Sequence, residues 1–366
     1  MKKTFLFSCV AFAALLFEGC IGETPNPQPP EPVITNAKYI YVLNEGLWHS
    51  NNASITRFDI ENQTNTLDWF LTVNGKGLGD TGNDMKIYGS KMYIVVNESS
   101  QLEVTDLSGK SIRQIPLFSR ISLSDSIARK PRNIAFYQNK AYVCCSYDGS
   151  VARIDTATLA VDAYAAAGSN PEDLCVANGK LYVSNSGGLS GASGGPYGTT
   201  VSVFDLNTFQ QVKTITVTTN PTVMKVGPDG MIYLLSAGNY ADIAPDIQRI
   251  DPAKDVVDKV LDNSAATDFT FYNNNLYLCY YDSFSNSTAV KVIDLKNYSS
   301  KDFITDGTTL GNVMGITADA ATGDIYIATA ASDYVSNGNV TCFDSTGKRK
   351  FSFSAGVNPY KIAFVR

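Results

Sequence analysis

One strand motif centred on tyrosine returns seven times along the chain: YIYVLN at Tyr41, KMYIVV at Tyr93, KAYVCC at Tyr142, KLYVSN at Tyr182, MIYLLS at Tyr233, NLYLCY at Tyr277 and DIYIAT at Tyr326. The steps between these tyrosines are 52, 49, 40, 51, 44 and 49 residues. Periods of about 40 to 50 residues mark repeat architectures whose unit is a blade of a propeller. The stretch from Asn170 to Val217 displays one whole unit, with alternating apolar runs around Leu174, Tyr182, Val203 and Ile215 separated by turn formers. Such alternation reads as four antiparallel strands in a meander. The third strand of each unit ends on an aspartate, at Asp59, Asp106, Asp155, Asp205, Asp251, Asp294 and Asp344. These aspartates head turns such as DLNTF and DTATL, where an Asx carboxylate satisfies local amides, and are read as structural.

The two ends of the array are complementary. The first unit has strands expected near Tyr41, Ile55 and Trp69 but no first strand, whereas Asn358 to Val365 is a first strand with no second. Placing the tail in the first unit seals the ring and removes two unpaired edges. The fold class expected is therefore all-β: a seven-bladed β-propeller of four-stranded antiparallel blades, closed by the C-terminal strand.

Three segments follow. Residues 1–20 form a leader, with Lys2 and Lys3 ahead of a thirteen-residue apolar stretch from Phe5 to Phe17. That stretch is too short to span a bilayer and fits a signal peptide. It ends in LLFEGC, which resembles a bacterial lipoprotein box with Cys20 as the lipidated residue. Residues 21–37 are proline-rich and read as a semi-rigid tether, and residues 38–366 as one propeller. A content of 44% hydrophobic and 17% charged residues supplies a large core, and a net charge of -6 without a long basic run argues against nucleic acid. The densest basic spot, ARKPR at 128–132, is read as a solvated loop. Membrane attachment is expected through the lipid alone.

Beyond the leader the cysteines are Cys144, Cys145, Cys175, Cys279 and Cys342, all on predicted strands, with 144 and 145 facing opposite ways. An odd set without short spacings reads as buried thiols, with Cys175 bridged to one of the adjacent pair as the alternative.

With the strands committed to packing, function falls to the loops that lead into first strands and that join second to third strands, which converge on one rim. Six of the seven second-to-third loops carry an aromatic among Asn, Ser and Gly: Trp48, Tyr147, Tyr197, Tyr240, Tyr281 with Phe284, and Tyr334. This mixture gives stiff flat contact area with adaptable hydrogen bonding, although loop aromatics also serve to cap blade ends. The candidate ligand contacts are these seven with Asn44, Glu45, Asn97, Asp148 and Tyr360. The single histidine, His49, rules out triads and metal centres built on several histidines. NGKGLGD precedes a strand rather than a helix and lacks the Lys-Ser/Thr of a phosphate loop. No catalytic residue, metal site or cofactor is assigned, while chemistry run by carboxylates, tyrosines and lysines stays open.

YVSN at Tyr182, YVLN at Tyr41 and the recurring VFDL-type turn resemble the YVTN, or NHL-like, propellers. The opening blade, with YVLNEGLW at 41–48, NGKGLGDTGNDM at 74–85 and YGSKMYIVVNESSQLEV at 88–104, is similar, together with the leader, to propeller lipoproteins of gut Bacteroidota, including the BtuG type. That resemblance implies a non-enzymatic lipoprotein at the outer membrane, facing the cell surface, that captures a corrinoid (cobalamin) or another large polar small molecule and passes it to a TonB-dependent transporter. Two other classes stand beside it, a lyase or hydrolase acting on glycan or peptide and a protein-binding scaffold or adhesin.

Overall fold

The computed structural model describes residues 36–120, 126–262, 266–282 and 287–366; Cys20, the leader and the tether up to residue 35 lie outside them. Seven sheets of four antiparallel strands each form seven blades. Blade 1 consists of Tyr39–Asn44, Ser54–Asp59, Thr64–Thr66 and the tail strand Pro359–Val365. Blades 2 to 7 begin with Gly82–Tyr88, Pro131–Tyr137, Pro171–Ala177, Pro221–Val226, Ala266–Tyr272 and Asn312–Ala318, each followed by its second, third and fourth strands in order. The first strands are innermost, and contacts among them run from blade 6 through blades 7, 1, 2, 3 and 4 to blade 5.

The tail closes the ring as the end-to-end accounting requires. Tyr39 pairs with Val365, Tyr41 with Ala363 and Val42 with Ile362. Beyond the ladder, the amide of Lys38 donates to Val365 O at 2.8 Å and that of Glu45 to Asn358 O at 2.9 Å. Asn44 locks the same joint from within. Its Nδ2 donates to Ser54 Oγ at 3.0 Å and Thr56 Oγ1 at 3.1 Å, and its Oδ1 accepts the amide of Gly356 at 3.0 Å. Gly356 permits that approach, because a Cβ there would lie 2.7 Å from Asn44 Nδ2.

Between successive blades lie seven hydrophobic clusters, one per junction. The seven motif tyrosines sit within them, none more than 3% exposed. Cys144 packs toward blade 4 and Cys145 toward blade 2, as alternation along a strand demands. All five described thiols are free and buried, so the alternative bridge to Cys175 is not made. Each of the seven turn aspartates accepts a backbone amide two to four residues on, for example Asp155 Oδ1 from Ala157 N at 3.0 Å and Thr158 N at 2.8 Å.

Two local readings are corrected. Trp69 does not lie on a strand: Trp69–Asn74 is a short helix, capped by Asp68 Oδ1 accepting the Leu71 amide at 3.0 Å and stopped by Gly75 in the left-handed region. The two end signals outweigh the apolar run between them, and the outer strand of blade 1 is Thr64–Thr66 instead. The basic run at 128–132 is not a solvated loop. It follows a hairpin, Phe118–Arg120 paired with Ser126–Ala128, and turns its charges inward: Arg129 pairs with Asp148, Lys130 with Glu98 and Arg132 with Glu172.

Every first strand carries an irregularity in its register near its start, just after the opening residue in blades 1 to 6 and one residue later, between Val313 and Gly315, in blade 7. A bulge of this kind adds a residue outside the ladder and re-aims its side chain. Tyr360, Asn83, Arg132, Glu172, Thr222 and Thr267 occupy these positions in blades 1 to 6. Just behind them, three carboxylates bind blades in pairs. Asp84 accepts the amides of Met85 at 2.9 Å and of Ile134 in blade 3 at 3.1 Å. Asp173 likewise takes Leu174 at 2.7 Å and Met224 in blade 5 at 2.8 Å, and Asp268 takes Phe269 at 2.8 Å and Ile316 in blade 7 at 3.3 Å. Lys86 lies 3.2 Å from Asp84 and Lys225 2.7 Å from Asp268. Burial lifts Asp173 to about 6 against the pull of Lys86 and Lys361, whereas Asp268, equally buried, is held below the usual range by Lys225 and Lys361.

Two outcomes are expected. Replacing Asn44 by Ala strips three internal hydrogen bonds at the closing joint and lowers unfolding free energy by about 1–3 kcal/mol in urea titration. Asp173 keeps its proton in the folded state up to about pH 6, while the unfolded chain releases it near 3.8. The folded state therefore binds more protons in that window, and stability measured relative to Asp173→Asn falls as pH rises from about 4 to about 6, then levels. A relative stability that instead rises over that window contradicts the assignment.

Candidate ligand-binding site

The strand directions place the loops entering first strands and those joining second to third strands on one face, and the seven bulges open onto it. The floor there is polar. Arg132 donates through Nε to Glu172 Oε1 at 2.9 Å, with Nη2 on the same oxygen. Asn83 Nδ2 donates to Arg132 O and Asn133 Nδ2 to Glu172 O, each at 2.8 Å, so neighbouring bulges are tied side chain to backbone. Lys361 Nζ lies 3.8 Å over the ring centroid of Tyr360. Burial opposes the lysine's charge, but Tyr360, Asp268, Asp84 and Asp173 around it hold its pKa well above the ordinary value. Burial likewise raises the Tyr360 phenol and the Glu45 carboxyl, the latter against the pull of Arg132 and Lys361.

Two cavities meet on this floor. The first, about 670 Å³, has Asn83, Glu172 and Tyr360 below and Tyr240, Ile243 and Tyr281 at its wall. The second, about 770 Å³, runs between Trp48 and His49 on one side and Ile127, Tyr147 and Leu189 on the other, over Lys130. Arg132 and Glu172 line both, so the ion pair forms the sill between two lobes.

The residues singled out in the sequence fall into four groups. Trp48, Tyr147 and Tyr240 project into solvent, 70%, 57% and 77% exposed, as walls of the two lobes. Tyr281 and Tyr360 line the first lobe. Tyr197 stands edge-on behind Tyr240 with centroids 5.9 Å apart, and Tyr334 leans on Tyr281, its phenol raised to about 12 by burial and that neighbour. Asn44, Asn97 and Asp148 are engaged within the fold instead. Asn44 is fully buried at the closing joint, Asn97 Nδ2 donates to Pro131 O at 2.8 Å, and Asp148 pairs with Arg129 and accepts Ser150 Oγ at 2.7 Å. Asn97 still borders the second lobe. Phe284 lies outside the described residues.

Sequence reasoning missed the floor: Asn83, Lys130, Arg132, Glu172 and Lys361. The available signal was a polar or charged residue at the second or third place of an otherwise apolar first strand, as in GNDM, PRNI, NPEDL and NPYKI. Among the described residues no group of three or more His, Cys, Asp or Glu is arranged to hold a metal ion, and no helix is long and apolar enough to cross a membrane.

No curated protein sequence matches the chain. Among solved structures, the fold is similar to a quinonprotein alcohol dehydrogenase-like protein from Bacteroides thetaiotaomicron (TM-score 0.63, 15% identity, 90% of this chain and 78% of that one). It is equally similar to a protein of unknown function from Desulfotomaculum acetoxidans (TM-score 0.63, 11% identity, 90% and 99%). Kuenenia stuttgartiensis hydrazine synthase matches with a TM-score of 0.57 at 16% identity, over 70% of this chain and 74% of that one. At such identities the likeness is one of fold alone. Residues 38–358 match the family model described as a domain of unknown function, DUF5074, and the chain belongs to that family.

Proposed function

We propose that this propeller is a non-enzymatic binding protein that captures a large polar small molecule across its rim, in the most specific form a corrinoid such as cobalamin. The observation that carries the reading is the pair of lobes joined over one Arg132–Glu172 sill beneath exposed Trp48, Tyr147 and Tyr240. Pockets for ordinary small ligands run about 300–1,000 Å³, and each lobe alone is of that size. A ligand that fills both is therefore larger than usual. It must also be broad and rich in hydrogen-bonding groups, because the walls are aromatic and the floor polar. The charges on the floor are largely neutralised in pairs, which favours a dipolar ligand over a strongly charged one.

In the same proposal the leader makes the protein a lipoprotein anchored to the outer membrane through Cys20, and the captured ligand passes to a TonB-dependent transporter. The lipoprotein box and the proline-rich tether support this part of the reading.

Isothermal titration with cyanocobalamin is expected to give saturable binding at micromolar affinity or better. Trp48→Ala and Tyr240→Ala, one in each lobe, should each weaken it about tenfold or more without lowering the melting temperature, as removal of a central aromatic anchor does. Absence of heat removes the corrinoid. Metabolic labelling with palmitate should mark the full chain and be abolished by Cys20→Ala; unchanged labelling removes the anchor.

A further inference from the structure

The two lobes differ in how far they reach into the fold. The second carries charges of its own in Glu98 and Lys130, and among the described residues no buried member of an interblade cluster lines it. The first opens onto the packing between blades 5 and 6: Val223, Leu235 and Ala266, buried members of the hydrophobic cluster at that junction, belong to its lining. The loop joining the second and third strands of blade 5 adds Tyr240 and Ile243 with Ala237, Ala241, Ala244 and Pro245.

That wall is built before any ligand arrives. Asn239 Oδ1 accepts the amides of Ala241 at 3.1 Å and Ile243 at 2.8 Å, and its Nδ2 donates to Asp242 Oδ1 at 2.8 Å. Inside this turn Tyr240 has a φ of 56°, in the left-handed region that a bulky residue rarely adopts, and stands 77% exposed. An aromatic held in place by its own loop offers contact area at little further loss of freedom.

Most polar groups on the floor of this lobe are spent within the fold. Asn133 Nδ2 donates to Glu172 O, both Asp173 oxygens accept backbone amides, and the Thr222 and Thr267 hydroxyls donate to Leu235 O at 3.3 Å and Cys279 O at 3.2 Å. Asn83 is only half engaged. It is 2% exposed, its Nδ2 donates to Arg132 O at 2.8 Å, and its Oδ1 is buried without a partner. Among the described residues no other side chain lining either lobe has such an atom. The Nδ2 bond fixes the orientation of the carboxamide, so the bare atom is an acceptor, and a buried acceptor is costly until a donor reaches it.

We infer that the first lobe is a subsite for a flat apolar ring carrying one N–H or O–H on its edge, seated against Tyr240 and the cluster residues Val223 and Leu235, with that hydrogen given to Asn83 Oδ1. This rests on the rim being a small-molecule site, and it adds which part of the ligand enters this lobe. A ring without the donor still buries apolar surface there but leaves Oδ1 bare. A site built around a hydrogen bond tells two ligands of similar shape apart in that way.

Indole and 1-methylindole are the probes, because they are alike in shape and differ in the one donor. Ligand-observed NMR titration of the folded chain is expected to show indole binding about fivefold more tightly than 1-methylindole, as one hydrogen bond allows. Asn83→Ala should bring the two affinities together by weakening indole alone. Tyr240→Ala, at an exposed position, should weaken both, with circular dichroism melts reporting that the variants fold. Equal affinities in the wild-type chain, no binding of indole, indole binding unchanged in Tyr240→Ala, or a preference that survives in folded Asn83→Ala overturns the subsite. The two proposals fail separately. A preference for indole with a silent cyanocobalamin titration retains the subsite and discards the corrinoid, whereas tight cyanocobalamin binding with no preference between the indoles does the reverse.

Discussion

The pairing of Pro359–Val365 against Tyr39–Asn44 is the constraint from which the other features follow. A propeller left open has two faces of interblade packing exposed to water and two bare strand edges. Here the last strand of the chain becomes the innermost strand of the first blade, so the cluster containing Ile40, Phe58 and Tyr326 and the cluster containing Tyr41, Phe70 and Met85 are both completed by residues of the tail. Asn44 reinforces the joint with an amide that reaches blade 7 at Gly356. In blade 4, Asn185 makes the same kind of contact locally, to Thr200, Ser202 and the amide of Gly168. The closing joint thus reuses an ordinary blade corner across the chain's two ends.

Closure also determines where chemistry can reside. Side chains along a regular first strand would be taken up by packing against neighbouring blades. The bulge at the start of each strand releases one residue from that duty, and the ring brings the released residues together at one mouth. A floor assembled in this way draws single residues from many blades, so Tyr360, Asn83, Arg132 and Glu172 become neighbours although they are far apart in sequence. The loops then supply the walls. Rigid floor and adaptable wall is an arrangement suited to recognition, with positioning from strands and contact area from aromatics.

This division explains what could be read from the sequence. The repeat, the blade count and the exchanged tail were legible because each rests on local alternation and a fixed period, which every unit restates. The wall residues Trp48, Tyr147 and Tyr240 were legible because large aromatics among Gly, Ser and Asn stand out in a loop. Asn44 and Asn97 resembled loop polar groups, yet both are consumed by hydrogen bonds to backbone or hydroxyl groups that become neighbours only after folding. Arg132 looked like one charge of a basic loop, since nothing in ARKPR announces that a bulge will turn it onto Glu172, forty residues away. Trp69 was misjudged for a related reason: Asp68 and Gly75 act at the ends of their segment, while its apolar interior fits either a helix or a strand.

The three carboxylate clasps divide an odd-numbered ring unevenly. Asp84, Asp173 and Asp268 staple blades 2 to 3, 4 to 5 and 6 to 7, leaving blade 1 unstapled to either side. Blade 1 is held by other means: the Asn44 carboxamide and Arg366 tie it to blade 7 at Gly356 and Asp319, and the Tyr41 phenol and Trp69 indole tie it to blade 2 at Leu107 O and Ser108 O. The blade that contains both ends of the chain thus needs no paired clasp, and the Trp48 loop is carried on a joint fastened from both sides.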